Sequence, residues 1–311
     1  MEKNIHISIV SPVYKAEKIV SQLVSRIISS VDKITSDFEI ILVEDGSPDN
    51  SWEEIEKVCL SDKRVKGIKL SRNFGQHEAI TAGLEITTGD WIVVMDCDLQ
   101  DKPENIPIFH QKAIEGYDMV VGKKSERKDH ILRKIESAFF YKILEKLTGV
   151  KVSLGIGNFG IYNRTSINSF LSLKEEYRSF GMIMGWLGFN RYELEIESDE
   201  RHEGKSSYTF WKKWKLALTT ITSFSNRILI LIITIGFCIS FSALCFLVLH
   251  IFNVWKNSQP IAGWSSLILS IFLSLGIVVS CIGVVGLYVG KIFSQVKNRP
   301  LYIVAKKKNY E

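Results

Sequence analysis

The chain has 311 residues, 39 of them Lys or Arg and 34 Asp or Glu, for a net charge of +5; 46% are hydrophobic and five are cysteine. That length holds a globular domain of about 200 residues plus a further element. The basic excess gathers around two uncharged stretches, which fits a membrane-proximal protein and argues against nucleic acid as a partner. Five cysteines with no CxxC spacing exclude a metal ribbon and read as reduced, small apolar residues.

The N-terminus, MEKNIHISIV, carries no signal-peptide core or cleavage site. Residues 5–10 read as a short strand ended by Ser11 and Pro12. Ile19, Val20, Leu23, Val24, Ile27, Ile28 and Val31 then repeat at the spacing of one helical face. A second strand over 38–43 leads to the turn Asp45, Gly46, Ser47, Pro48 and a helix from Ser51. A third strand covers 65–70, with a helix over 78–85. A fourth covers 91–95, and Pro103 opens the next helix. Residues 118–121 read as a fifth strand, 135–147 as an amphipathic helix, 159–162 and 191–196 as strands, and 165–173 as a helix. Strands alternating with helices at this spacing predict a mostly parallel α/β sheet with helices on both faces. Polar clusters at 12–17, 44–49, 71–76 and 96–101 each follow the carboxyl end of a strand, the edge where open α/β sheets bind ligands.

After Arg227 the charges stop. Residues 228–252 and 264–290 contain no Asp, Glu, Lys or Arg, and each run of about 25 residues is long enough to cross a hydrocarbon core with some tilt. Lys212, Lys213, Lys215 and Arg227 precede the first run; Lys291, Lys297, Arg299, Lys306, Lys307 and Lys308 follow the second; Lys256 is the one basic residue between them. This distribution predicts a helical hairpin with both chain ends cytoplasmic. Residues 207–227, where Tyr, Phe and Trp alternate with Lys, suit a helix lying in the membrane interface.

The stretch WIVVMDCDLQDKPE runs an apolar strand straight into a carboxylate cluster. Asp96 and Asp98, two residues apart, can converge on one cation, and the Gln100 carbonyl can add a third oxygen. Mg2+ or Mn2+ bound by a pair of carboxylates would keep places for phosphate oxygens and water. Asp45 stands where a carboxylate can accept from a base N–H or a ribose hydroxyl, beside a glycine that permits close approach. Asp49 reads as a helix cap.

SIVSPVYKAE, VEDGSPDNS, SRNFGQHEAITAGL, VMDCDLQDKPE and HEGKSSY, in that order and followed by two apolar runs, resemble the family 2 glycosyltransferases that load sugars onto polyprenyl phosphates. The likeness covers essentially the whole chain. It implies a GT-A fold, a nucleoside-diphosphate sugar donor with uridine as the expected base, a divalent metal, a polyprenyl phosphate acceptor and inverting transfer. Under it, Pro12, Tyr14, Glu17, Asp45 and Asp96 would line the donor nucleotide; Asp96, Asp98 and Gln100 would ligate the metal; Lys124 and Arg133 would meet phosphate. Arg201, Ser206 and Tyr208 would match an RxxGxSxY acceptor element. The implied layout is a cytoplasmic catalytic domain over 1–206, a juxtamembrane helix over 207–227, two spans within 228–290 and a basic cytoplasmic tail over 291–311, in a multi-pass protein among membrane lipids, with homo-oligomers left open.

One departure stands out. Many relatives in that family carry GDFRL where this chain has Gly157, Asn158, Phe159, Gly160 and Ile161, so a proposed catalytic Asp becomes Asn158 and an Arg becomes Gly160. An amide is no general base, but a phosphate monoester with a second pKa of about 6 is largely dianionic at neutral pH and needs little help losing a proton. Asp98 and Asn158 remain the candidates nearest the chemistry, Asn158 as a group that positions an acceptor oxygen or a sugar hydroxyl. Gly155, Gly157 and Gly160 also spell G-x-G-x-x-G, but no strand-then-helix context surrounds them, which argues against a dinucleotide site. Six histidines show no ligand or triad spacing; His202, beside Arg201, is the one of interest. The rival readings are a processive polysaccharide synthase, disfavoured because none of the seven tryptophans follows an Arg in a QxxRW motif, and a silent membrane scaffold, disfavoured by the intact carboxylates.

Overall fold

The computed structural model describes residues 5–124, 156–175, 178–196 and 263–310, with individual helical positions between 230 and 252. Arg133, Arg201, Ser206, Tyr208, the helix read over 135–147, the interfacial stretch 207–227 and most of 228–252 lie outside the described residues. The chain divides into two units, one of residues 1–145, 150–207 and 299–311, the other of 146–149 and 208–298.

The first unit opens with β1 (Ile7–Val13), α1 (Val20–Val31), β2 (Phe38–Glu44), α2 (Ser51–Ser61), β3 (Val65–Leu70), α3 (Gln76–Leu84) and β4 (Trp91–Val94). A 3-10 turn at Pro103–Asn105 leads into α4 (Ile106–Ala113), followed by β5 (Met119–Lys124), β6 (Ile156–Asn163), α5 (Arg164–Ser172), α6 (Phe180–Trp186), β7 (Arg191–Ile196) and finally β8 (Val304–Lys308). One sheet orders them β7-β5-β6-β4-β1-β2-β3-β8. β3, β2, β1 and β4 are mutually parallel, and β5 runs parallel to β7; β6 and β8 run against their neighbours. The apolar spacing predicted the helical face of α1, which buries Val20, Leu23, Val24, Ile27 and Val31. β1 and β2 are buried along their full length, as parallel strands covered on both faces must be.

Ser11 and Pro12 do not end β1, which continues to Val13 beside β2. β4 pairs with β1 only as far as Val10, so the missing N–H of Pro12 falls past the ladder on that side and costs no bond. α3 lies close on the sheet because Gly83 has no side chain: a Cβ there would sit 2.4 Å from Val10 Cγ1 and 3.1 Å from Val43 Cγ2. Gly83→Val should therefore lower stability by about 1–3 kcal/mol through overpacking. Thermal unfolding of the two proteins in the same detergent checks it; equal midpoints would count against so close a contact.

β8 carries little apolar signal, which is why the sequence shows no strand there. It pairs antiparallel with β3 from Gly67↔Lys308 to Leu70↔Val304. Ser71 N–H donates to the Ile303 carbonyl at 2.9 Å, and beyond the strand the Asn309 amide donates to the Val65 carbonyl at 2.8 Å and to the Cys59 carbonyl. Exposed Lys306 and Lys307 charge this outer strand, which discourages further edge pairing.

In the second unit, α7 (Trp264–Val296) has 33 residues, about 50 Å at 1.5 Å per residue. Leu267, Ile271, Leu275, Val279, Ile282 and Phe293 are exposed along it. Its Ser274–Val296 portion has a mean hydropathy of 2.1 and is not buried, so by length and composition it can cross a membrane.

Candidate active site

β1, β2, β3, β4 and β5 all end at one edge of the sheet. Between β1 and β4 the chain order reverses, which is the switch point where α/β sheets open a crevice. β6 enters the same edge from the opposite direction: Val94 pairs with Gly160, so continuing the register sets Asn158 opposite Asp96. Pro12, Asp45, Asp96, Lys124 and Asn158, far apart in sequence, are thus brought to a common edge.

Asp45 follows β2 and is 3% exposed. Its Oδ1 accepts the Phe74 N–H at 2.7 Å and its Oδ2 the Gly75 N–H at 3.0 Å, while Asn73 Nδ2 donates to its carbonyl at 3.0 Å. Burial raises its pKa, and the two amide donors oppose the rise. Gly46 has φ +63°, and a Cβ there would stand 2.3 Å from Asn73 N; only glycine lets the β2–α2 and β3–α3 loops meet. The first role visible for Asp45 is therefore to fasten the SRNFG loop. A carboxylate has about four acceptor sites, so capacity remains toward a ligand.

Glu17 accepts from Asn50 N at 3.1 Å and from Asn50 Nδ2 at 3.3 Å. Asp49 takes Ser51 Oγ at 2.7 Å and Glu17 N–H at 3.3 Å. These two acids tie the β1–α1 turn to the start of α2, in keeping with a capping role for Asp49. Tyr14 is 45% exposed beside the turn, with Lys15 Nζ over its ring at 5.5 Å from the centroid.

After β4 the chain makes a tight turn. Gln100 N–H donates to Asp98 Oδ1 at 3.1 Å, and Leu99, only 1% exposed, takes φ +58°. A branched residue in the left-handed region is strained by about 1–2 kcal/mol, and its burial pins the turn to the core. Cys97 packs against that core, and burial pushes its thiol up to about 12. Asp96 Oδ1 accepts Gln76 Nε2 at 2.7 Å, and the Asn158 side chain also bonds to it. Burial, then the charges of Asp101 and Asp98, push Asp96 up to about 6. Asp101, 2% exposed, lies 3.2 Å from Lys124 Nζ; burial raises its pKa and Lys124 opposes this. Lys124 is thus already engaged by an acid at the site's rim.

Three residues here were missed as site residues in the sequence: Gln76, Asn73 and Asp101. The first two sit in the polar cluster at 71–76, whose position after β3 was a usable signal. His77, half-buried and with its pKa lowered by desolvation, accepts the Phe180 N–H at 3.3 Å and so serves the start of α6. Gly157 and Gly160 lie within β6, not at a strand-to-helix turn.

Residues 8–171 match the model of Glycosyl transferase family 2. The bactoprenol glucosyl transferase derived from prophage SfII of Shigella flexneri is 33% identical over 301 residues, 96% of this chain and 97% of that protein. The undecaprenyl-phosphate 4-deoxy-4-formamido-L-arabinose transferase of Shewanella sediminis is also 33% identical over 301 residues, covering 96% and 91%. Among solved structures, mannosyl-3-phosphoglycerate synthase from Rubrobacter xylanophilus superposes with a TM-score of 0.51 at 14% identity, over 72% of this chain and 74% of that one. That likeness is one of fold and agrees with the GT-A architecture.

Proposed function

This chain is a glycosyltransferase of family 2, and from that premise we propose that it transfers a sugar from a nucleoside diphosphate to a polyprenyl phosphate at the cytoplasmic membrane face, with inversion and with Mg2+ or Mn2+. The observation that carries the donor side is that Asp96, Asp98 and the 2%-exposed Asp101 share the tight turn after β4 at the switch-point edge. Such crowding costs energy that a cation would relieve. Among the described residues no three His, Cys, Asp or Glu side chains form a metal cage. Magnesium needs none, being held by one or two carboxylates with substrate phosphate oxygens and water. The donor set of Asp96, Asp98 and the Gln100 carbonyl fits it.

Bound there, a divalent ion would take up the negative charge of the departing diphosphate. The acceptor phosphate oxygen attacks the anomeric carbon as the bond to the diphosphate oxygen breaks, with the electron pair leaving on the diphosphate. Pro12, Tyr14, Glu17 and Asp45 border the nucleotide, the Tyr14 ring offering a face for the base. Lys124 and Arg133 balance phosphate charge, and Arg201, Ser206 and Tyr208 hold the acceptor phosphate. Asn158 removes no proton; its amide supports Asp96, and a dianionic acceptor needs no base.

The acceptor class comes from the relatives named for bactoprenol and undecaprenyl phosphate. Membrane placement draws on α7 and on topology. β8 follows α7 in sequence yet shares a sheet with β3, which precedes it, so the number of crossings between them must be even. A crossing by α7 therefore calls for a second, a role we assign to the uncharged run 228–252.

The deciding measurement is nucleoside diphosphate release by the detergent-solubilised chain across a panel of nucleotide sugars. Release is expected only with both a divalent metal and a polyprenyl phosphate present. Turnover with water or a soluble sugar in place of the lipid would overturn the acceptor assignment.

A further inference from the structure

Asp96 is met by neutral side chains. Gln76, the first residue of α3, donates Nε2 to Oδ1 at 2.7 Å, and Asn158 of β6 supplies a second amide. Gln76 is itself set in place from behind. Gly75, which precedes it, has φ +126°, and its N–H is taken by Asp45 Oδ2 at 3.0 Å. A side chain at Gly75 would meet Glu78 Oε2 at 2.5 Å. Asp45, the β3–α3 loop, Gln76 and Asp96 therefore form one continuous line of hydrogen bonds across the ends of β2, β3 and β4. The chemical type of the donor matters. A lysine or arginine at position 76 would neutralise Asp96, whereas an amide orients the carboxylate and leaves its whole charge for a cation.

We propose that Gln76 is a positioning residue of the cation site: it fixes one oxygen of Asp96 so that the other is presented to the ion that accompanies the donor diphosphate. This rests on the donor-site reading given above. Groups that orient metal ligands are commonly worth 10- to 100-fold in metal affinity.

Gln76 is exposed, so Gln76→Met, similar in length and lacking the donor, should fold. Mn2+ titration of the full-length protein in detergent, followed by electron paramagnetic resonance with UDP present, reads the site without turnover; calorimetry with UDP alone reads the nucleotide pocket. The expected result is an Mn2+ dissociation constant raised about tenfold with metal-free UDP affinity unchanged. An Mn2+ constant within twofold of wild type would overturn the inference while leaving the donor site standing. Parallel loss of metal-free UDP affinity would also overturn it, since that would mark a general disturbance of the loop. Absence of UDP-dependent Mn2+ binding in the wild type would remove the donor-site reading and this inference together.

Discussion

Asp96→Asn is expected to lower sugar transfer by about 10²- to 10³-fold, the loss typical of removing one group that stabilises charge developing in a transition state, while the metal-free protein becomes no less stable. The two halves of this result have one cause. Burial and the neighbouring Asp101 and Asp98 push Asp96 up to about 6. Its folded pKa thus lies above its unfolded value, so its ionised form costs stability at pH 7 and above, and that cost fades as pH falls below about 6. An asparagine removes the cost and can still accept from Gln76 through its carbonyl oxygen. Activity with Mn2+ added and thermal midpoint without metal, both at pH 8, should move in opposite directions. A variant that loses both would make Asp96 a structural residue first.

The second large effect lies at the opposite end of the strands. Glu39 on β2 is 3% exposed. Its Oε1 accepts Ser8 Oγ at 2.6 Å, Thr88 N–H at 2.7 Å and Thr88 Oγ1 at 2.9 Å, while Oε2 accepts Lys66 Nζ at 2.8 Å. Gly89 N–H extends the network to Ser8 Oγ at 2.8 Å. Burial would raise the Glu39 pKa, but Lys66, Ser8 and Thr88 outweigh it and bring it from 4.5 to about 2. A depression of that size corresponds to about 3 kcal/mol of stability at neutral pH. Because the folded pKa is the lower one, the contribution is complete above about pH 4.5 and disappears as pH falls toward 2. Glu39→Gln should accordingly lower the thermal midpoint at pH 7, and the gap from wild type should narrow below pH 4.5. A gap that stays constant down to pH 3 would assign the effect to packing. Transfer kinetics at pH 7 and moderate temperature should change little, since the network lies away from the carboxyl edge.

Much of the first unit was legible from local signals. The strands over 65–70 and 191–196 match β3 and β7 residue for residue, because short segments that mix apolar with polar residues at strand spacing carry a local signal. α1 was legible from its period, and the carboxylate turn after β4 from the collision of an apolar strand with three acids. α6 was not: Phe180–Trp186 is short, and its start is served by the His77 ring, 103 positions away. Nor was β8, whose Val304 is followed by an alanine and three lysines. It is a strand because β3 offers an open edge of N–H and C=O groups, and ladder bonds with a neighbour outweigh a poor intrinsic preference.

The same division runs through the site. Residue type and place after a strand were enough to single out Asp45, Asp96, Asp98 and Gln100, since turn chemistry and the carboxyl-edge rule are local properties of the chain. What each of these groups touches was settled only by the order and register of the strands. β6 running against β4 brings Asn158 to Asp96, the meeting of two loops at Gly46 turns Asp45 into a clamp, and the start of α3 carries Gln76 across to Asp96. The sequence by itself determined which acids stand at the edge, because that depends on neighbours a few residues away; the tertiary structure decided which neutral amides hold them, because a hydrogen bond needs two atoms within about 3 Å, whatever their separation along the chain.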